Sequence, residues 1–261
     1  MKRLILILSL CLGFSSPAMP LWAREGTDQA AELAKKLSNP VASLISVPLQ
    51  SNWDFRIGPE KATRYTLNIQ PVIPFSLGSD WNLITRTIVP IIHADSPVKG
   101  GDDSEGLGDI LQSFFFSPKA LTRGGWTWGV GPVILYPSGA AEVSAEKWGA
   151  GPTAVLLKQK SGWTCGLLAN HVWSFAGDDD RNDVRATFRQ PFLSYTTKTY
   201  TTLGLNTEST YDWEADAWTV PVNLTVAQLQ KIGKLPLQFQ AGGRVYAERP
   251  EGGPIGGSAL C

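Results

Sequence analysis

The chain has 261 residues, and its 23 lysines and arginines balance 23 aspartates and glutamates, so the formal net charge is zero. A chain without excess positive charge gives no electrostatic reason to expect nucleic acid as a partner. Its three cysteines are widely separated, which implies no disulfide framework. Mean hydropathy is -0.06, and no stretch after the N-terminal region approaches the ~18 uninterrupted apolar residues of a membrane helix.

The N-terminus has the form of a secretory leader. Two basic residues precede an apolar run over residues 4–14, and small residues follow. This order is typical of a cleaved signal peptide, and the run is too short to cross a bilayer as a helix. We predict a signal peptide over residues 1–23, with cleavage after Ala18 or Ala23.

A short helix is predicted next, over residues 28–37. One face would carry four apolar residues, Ala30, Leu33, Ala34 and Leu37. A helix this short is marginal by itself. We interpret residues 24–42 as a periplasmic segment containing this helix, in preference to a plug inside a pore.

Apolar and polar residues alternate through most of the remaining chain. In residues 217–226 one face carries Trp218, Val220, Val222, Leu224 and Val226, and the other carries Thr219, Pro221, Asn223 and Thr225. Successive strand side chains point to opposite faces, so such a segment forms a sheet with one apolar and one polar surface. We predict eleven strands: 43–57, 64–77, 81–93, 107–118, 126–137, 148–158, 163–175, 184–196, 199–212, 217–231 and 235–248.

The connections between these strands alternate in length and charge. The longer ones, such as 94–106 and 176–183, collect aspartate and glutamate, and the shorter ones carry lysine and arginine. Tryptophans fall near the strand ends, where indole rings favour a membrane interface. Long outer loops, short inner turns and interfacial tryptophans are typical of an antiparallel transmembrane β-barrel. We therefore predict an all-β fold with a barrel over residues 43–261.

Prolines are the feature that argues against a closed barrel. Among those within the predicted strands are Pro48, Pro71, Pro74, Pro90, Pro132, Pro152, Pro191 and Pro221. Proline cannot donate to a ladder that has no free edge. The barrel prediction therefore requires many of them to lie at bulges or strand ends.

The C-terminal residues do not look like a closing strand. Bacterial barrels have an even number of strands, so about twelve are expected rather than eleven. Residues 252–261 are rich in glycine and lack a terminal aromatic residue. We expect the closing strand to be lost here, through a frameshift or truncation of a twelve-stranded parent.

The polar faces of the strands supply candidate lumen residues. Directing each apolar face outward places nine chosen side chains inside, Arg86, Arg185, Arg189, Asn206, Glu208, Asn223, Gln238, Gln240 and Arg244. These groups either pair across the interior and seal it or line a narrow channel. We prefer the channel, because a twelve-stranded barrel is wider than the eight strands whose side chains just fill it.

The sequence gives little support to catalysis or metal binding. His171 and Ser174 form a close histidine–serine pair, but their odd spacing on a strand puts them on opposite faces. The acidic run 178–183 lacks the glycine and glutamate that an EF-hand requires, and a solvated loop is the preferred interpretation. We predict no enzyme activity, no metal and no cofactor.

Several sequence segments also resemble those of a known family. They are Leu33 to Pro48, Asn68 to Pro74, Lys147 to Thr153 and Gly204 to Trp213. These segments are similar to Gram-negative outer-membrane transporter-like barrels near the putative phenol-degradation (MetA-pathway) family. The resemblance spans about residues 30–254 and departs after Pro254, where that family continues into a closing strand. It implies an outer-membrane barrel that passes hydrophobic or aromatic compounds, and it carries over no catalytic residues.

These observations combine into one expectation. The mature chain is predicted to be a monomeric barrel in the outer membrane of a Gram-negative bacterium, contacting membrane lipids and letting small solutes pass passively. The leading alternative is a non-conducting barrel with a structural or adhesive role, and a barrel-borne lipid hydrolase is a third possibility.

Overall fold

The computed structural model describes residues 32–232 and 235–261, which form a closed antiparallel barrel preceded by a short helix over residues 32–37. The strands are β1 (Leu49–Ile57), β2 (Ala62–Ile69), β3 (Val72–Leu77), β4 (Trp81–Ala94), β5 (Ser104–Leu107), β6 (Ile110–Pro118), β7 (Trp126–Tyr136), β8 (Lys147–Lys160), β9 (Trp163–Gly177), β10 (Arg185–Thr196), β11 (Thr201–Thr207), β12 (Ser209–Asp212), β13 (Ala217–Ile232), β14 (Leu235–Glu248) and β15 (Gly256–Leu260). β2 with β3, β5 with β6, and β11 with β12 each make one pass along the wall, since both members pair with the same neighbour. The wall therefore has 12 passes, and the predicted barrel is confirmed.

The closing strand is present, so the prediction that it is lost is wrong. β15 pairs with β14 on one side and with β1 on the other, and Ser258 lies opposite both Gly243 and Trp53. Ladder hydrogen bonds come from the backbone, so a strand does not need alternating side chains to close a sheet. Glycine also admits close neighbours: a Cβ on Gly257 would lie 2.3 Å from the carbonyl oxygen of Trp53.

Prolines lie where the ladder is interrupted, as the barrel prediction requires. Pro132 and Pro152 face each other between β7 and β8, but no residue of β6 is in register with Pro132 and none of β9 with Pro152. Pro191 likewise faces the break between β11 and β12. The carbonyl oxygen of Pro90 still accepts a hydrogen bond from the Gly108 amide at 2.8 Å. The amide hydrogens that these prolines lack therefore fall where the neighbouring strand offers no residue in register.

The segments Trp128-Gly-Val-Gly-Pro-Val133 and Trp148-Gly-Ala-Gly-Pro-Thr153 are similar, and this geometry explains their shared Gly-Pro pair. A Cβ on Gly131 would lie 2.0 Å from the carbonyl oxygen of Phe114, and one on Gly151 would lie 1.8 Å from that of His171. Both distances are far below van der Waals contact. Each glycine therefore lets a neighbouring backbone bend towards the ladder gap beside the proline.

The outer and inner faces of the wall follow the alternation in the sequence. On β13, Leu224 and Val226 are 66% and 49% exposed, whereas Asn223 and Thr225 are 5% and 9% exposed. Exposed tryptophans lie near both ends of the wall, among them Trp81 and Trp163 by short turns and Trp148, Trp173 and Trp213 by longer loops. The barrel thus presents an apolar outer surface bordered by indole rings.

The described part of the segment before β1, from residue 32 onward, packs inside the barrel, whereas residues 24–42 were interpreted as a periplasmic segment in preference to a plug. Val41 is buried against Phe115 and Leu157 of the inner wall. Gln159 Nε2 donates a hydrogen bond to the Lys35 carbonyl oxygen at 2.8 Å, and Asn82 Nδ2 donates one to Ser43 Oγ at 2.8 Å. The predicted signal peptide and the first residues of the predicted helix lie outside the described residues. Across 32–232 and 235–261, no helix has the length and hydrophobicity to cross a membrane.

Replacing Gly151 by alanine should destabilise the barrel by about 1–3 kcal/mol, because the added methyl group overpacks the β8–β9 contact. The measurement is thermal unfolding of the refolded protein in detergent, followed by circular dichroism. Gly243→Ala is the matched control, since a Cβ there meets nothing within 4 Å. Equal unfolding temperatures for the two variants would contradict the prediction.

Candidate functional site: the lumen

The inner wall has an apolar half and a polar half. Strands β4 to β9 contribute buried apolar side chains, Ile84, Phe115, Val133, Val155, Leu157 and Leu168, and β10 adds Phe188 and Phe192 beside them. The strands on the other side, β11, β13, β14, β1 and β2, contribute mostly amides and charged groups. A solute inside the barrel therefore meets hydrocarbon on one side and hydrogen-bonding groups on the other.

Arg244 is the centre of the polar half. Its Nη2 donates to Glu208 Oε2 at 2.8 Å, and its Nε donates to Asn223 Oδ1 at 2.7 Å. Its Nη1 lies 3.4 Å from Asp54 Oδ1. The hydroxyl of Tyr246 also donates to Asp54 Oδ1, at 2.8 Å. Two carboxylates thus compensate one buried guanidinium, which a low-dielectric interior requires.

A chain of amides extends this cluster to a second arginine. Asn52 Oδ1 accepts hydrogen bonds from Arg244 at 3.3 Å and from Gln50 Nε2 at 3.0 Å. Gln50 Oε1 in turn accepts from Gln70 Nε2 at 2.7 Å, and Gln70 Oε1 accepts from Arg86 Nη2 at 2.7 Å. Within the described residues, Arg86 has no carboxylate oxygen within 4.0 Å. Most of its donors are therefore free to meet a solute.

The polar residues separate two cavities. The lower cavity, of about 320 Å³, lies next to the segment that precedes β1, and the upper one, of about 420 Å³, is lined by Asp54, Asn68, Val172 and Phe188 among others. Five residues border both cavities, and they are Gln50, Gln70, Arg86, Glu208 and Arg244. We call these five the constriction.

Comparison with known proteins places the chain in a family. The family model described as the putative MetA-pathway of phenol degradation matches residues 55–229, more than half of the chain. The chain belongs to this family. Its fold is also similar to the crystal structure of the COG4313 outer membrane channel from Pseudomonas putida F1, with a TM-score of 0.64 at 16% identity over 83% of this chain and 92% of that one. A search of curated proteins finds no match.

The structure of this member of the phenol-degradation family places seven of the nine predicted lumen residues on the inner wall. They are Arg86, Asn206, Glu208, Asn223, Gln238, Gln240 and Arg244. Arg185 and Arg189 lie instead on the outer surface, with their guanidinium groups over the rings of Trp213 and Trp218. This corrects their predicted position. The rule that turns the apolar face outward fails on β10, because the inner wall there is itself apolar.

Two contributions to the lumen of this family member are missing from the sequence prediction. The first is the apolar half of the inner wall, and the second is the segment around Val41, which packs against it. A signal for the first was present on β10, where Phe188 and Phe192 alternate with Arg185 and Arg189. Both faces of that strand carry bulky groups, so alternation alone did not say which one faces inward.

His171 and Ser174 are separate, in agreement with their spacing. The His171 Nδ1 atom lies 2.6 Å from Thr187 Oγ1, and its ring packs on Trp173 with centroids 4.0 Å apart. Ser174 Oγ donates instead to Asp183 Oδ1 at 3.0 Å. In the described part of the chain, no three His, Cys, Asp or Glu side chains are grouped as metal ligands would be, and this includes the acidic run 178–183.

Asp183 anchors the loop between β9 and β10. The hydrogen bond from Ser174 and the Nζ atom of Lys147, 3.3 Å away, lower the pKa of its carboxyl group. Lys147 itself is buried, with 8% of its side chain exposed. Ser174 Oγ also accepts the Val184 amide at 3.0 Å. The anchor therefore joins the loop to the ends of β8 and β9.

Lowering the pH should release this loop. A carboxyl group whose folded pKa is depressed stabilises the fold above its unfolded pKa of ~3.9, and that contribution is lost as pH falls through the folded pKa. We expect the protection factor of the Val184 amide, its exchange rate relative to that of an unstructured amide at the same pH, to show loss of protection over this acidic range. Asp183→Asn should show the faster exchange already at neutral pH, whereas Asp179→Asn, in the same loop, should behave like the wild type. Identical protection in Asp183→Asn and the wild type would refute the anchor.

Proposed function

We propose that the protein is a channel of the Gram-negative outer membrane through which small solutes pass without energy input. The observation that carries this proposal is the pair of cavities in the lumen, which meet at the constriction. The exposed apolar outer surface with tryptophans near its two ends supports a membrane location. The likeness of the fold to an outer membrane channel supports both parts of the proposal.

The solutes we propose have an apolar or aromatic body and at least one hydrogen-bonding group. Phe188, Val172 and Leu168 would contact the apolar body, and the amides and Arg86 would bind the polar group. A site that combines apolar walls with a few polar groups is the usual form of a small-molecule site. The description of the family as part of phenol degradation is consistent with this class.

Passage also depends on the segment that precedes β1. Residues 36–46 line the lower cavity and narrow it. A backbone bridge from Ser46 to Val72 ties the end of this segment to the wall, and before it the side-chain hydrogen bonds to the wall are those at Lys35 and Ser43. We propose that the segment shifts within the lumen when a solute passes.

The first test measures ion selectivity in planar lipid bilayers. Arg86→Ala removes one positive charge from the constriction. The electrostatic interaction of that charge with a permeating ion is of order 1 kcal/mol. The cation-to-anion permeability ratio should therefore rise roughly fivefold. Lys158→Ala removes the same charge from the outer surface and should leave the ratio unchanged. If neither the wild type nor Arg86→Ala opens, the barrel is non-conducting and has the structural or adhesive role instead.

The second test locks the segment to the wall. Ser43→Cys with Asn82→Cys replaces a 2.8 Å contact by a potential disulfide, in a background carrying Cys165→Ser and Cys261→Ser. We expect low conductance under oxidising conditions and a reversible increase when a reductant is added, because only the reduced segment can shift. Ser43→Cys alone should not respond to the reductant. Equal conductance of the locked and the reduced channel would show that the segment does not control passage.

A further inference from the structure

The outer surface carries a pair of arginines held on aromatic rings. Arg185 lies 5.4 Å from the ring centroid of Trp213, and Arg189 lies 4.5 Å from that of Trp218. Tyr211 packs between these tryptophans, with ring centroids 4.8 Å from each. We call these five residues the arginine patch. These cation–π contacts keep the guanidinium groups in place on the outer surface.

Neither arginine of the patch is neutralised by the protein. Both are exposed, and among the described residues neither has a carboxylate oxygen within 4.0 Å or donates a side-chain hydrogen bond. Arg244 in the lumen, by contrast, is paired with two carboxylates. The donors of the arginine patch therefore point to an external anion.

The patch lies at the end of the barrel that carries the longer, acidic loops. Arg185 is the first residue of β10, Trp213 follows β12 directly, and Trp218 is the second residue of β13. Arg189 lies further down β10, but its side chain reaches Trp218 at that end. A charge on the membrane face costs about 2–4 kcal/mol at the bilayer midplane and little near the interface. The positions are therefore those of headgroup contacts.

We propose that the arginine patch binds the phosphate groups of lipopolysaccharide in the outer leaflet. Guanidinium groups form two parallel hydrogen bonds to phosphate, and such charge-assisted bonds are the strong ones. The two guanidinium groups lie over different rings, those of Trp213 and Trp218, so a ligand with two separated phosphates suits the patch better than a lipid with one. The binding rests on the outer-membrane location in the proposed function and not on conduction.

The test is lipid binding to the purified, folded barrel in detergent, measured by native mass spectrometry. Diphosphoryl lipid A is the probe, and lipid A without phosphates and phosphatidylglycerol are the comparison lipids. Arg185→Gln with Arg189→Gln should weaken diphosphoryl lipid A binding at least about tenfold, because each charge-assisted bond is worth roughly that factor. The lipid without phosphates should bind all variants equally.

Lys158→Gln is the matched control. Lys158 also lies over an indole ring, 5.5 Å from that of Trp126, but at the opposite end of the barrel. Its replacement should leave lipid A binding unchanged. If the double glutamine variant does not fold, Arg185→Lys with Arg189→Lys keeps the charges but loses the paired hydrogen bonds, and it should bind with reduced affinity.

Two results would overturn the proposal. One is equal affinity of the wild type and the arginine variants for diphosphoryl lipid A. The other is wild-type binding of phosphatidylglycerol as tight as that of lipid A, which would assign the patch to anionic phospholipids in general. Neither result depends on whether the lumen conducts, so a failure here is distinct from a failure of the channel proposal.

Discussion

Pairing of the backbone along a ladder without edges is the constraint on which the rest of the barrel depends. Each amide and carbonyl group of the wall needs a partner in a neighbouring strand, because unpaired groups facing hydrocarbon cost several kcal/mol each. β15 meets this need at the seam despite its short length and glycine-rich sequence. Prolines are compatible with the wall only because they coincide with breaks such as those beside Pro132 and Pro152.

Closure of the wall determines which side chains face the lumen, and a buried charge among them needs a partner. Arg244 is held by Glu208 and Asp54 in an interior where an isolated charge would be very costly. Arg86 departs from this pattern, since among residues 32–232 and 235–261 its side chain donates to an amide, Gln70, and pairs with no carboxylate. Arg86 lies on β4, within the apolar half of the wall, and a partly satisfied cation there is costly for stability; such groups are where binding is expected.

The strand pattern could be predicted from the sequence because it depends on local alternation. The ten passes from β2 to β14 agree with their predicted spans within a few residues, and β13 keeps both predicted faces. The orientation of β10 could not be predicted in this way, because Phe188 and Phe192 are apolar and yet face inward. Which face is inside depends on contacts with distant residues such as Val41, and these have no local signal.

The same limit applies to β15 and to the segment before β1. Both are defined by what surrounds them: β15 by the two strands that it joins, and the segment by the apolar half of the lumen. Their own residues carry little periodicity, so the sequence predicted a missing closing strand and a periplasmic segment instead of a plug. The candidate site was therefore predicted in its polar half, around Arg244 and Asn223, and missed in its apolar half.

The pairing of β1 with β15 has a kinetic consequence. Ser51 pairs with Leu260 and Phe55 with Gly256, so the seam joins positions roughly 200 residues apart, whereas the hairpins elsewhere join near neighbours. Loop-closure entropy must be overcome before this contact stabilises anything, and contacts of such range slow folding. β1 and β15 are therefore expected to pair last. Formation of this pair, rather than of any hairpin, should limit the rate of insertion.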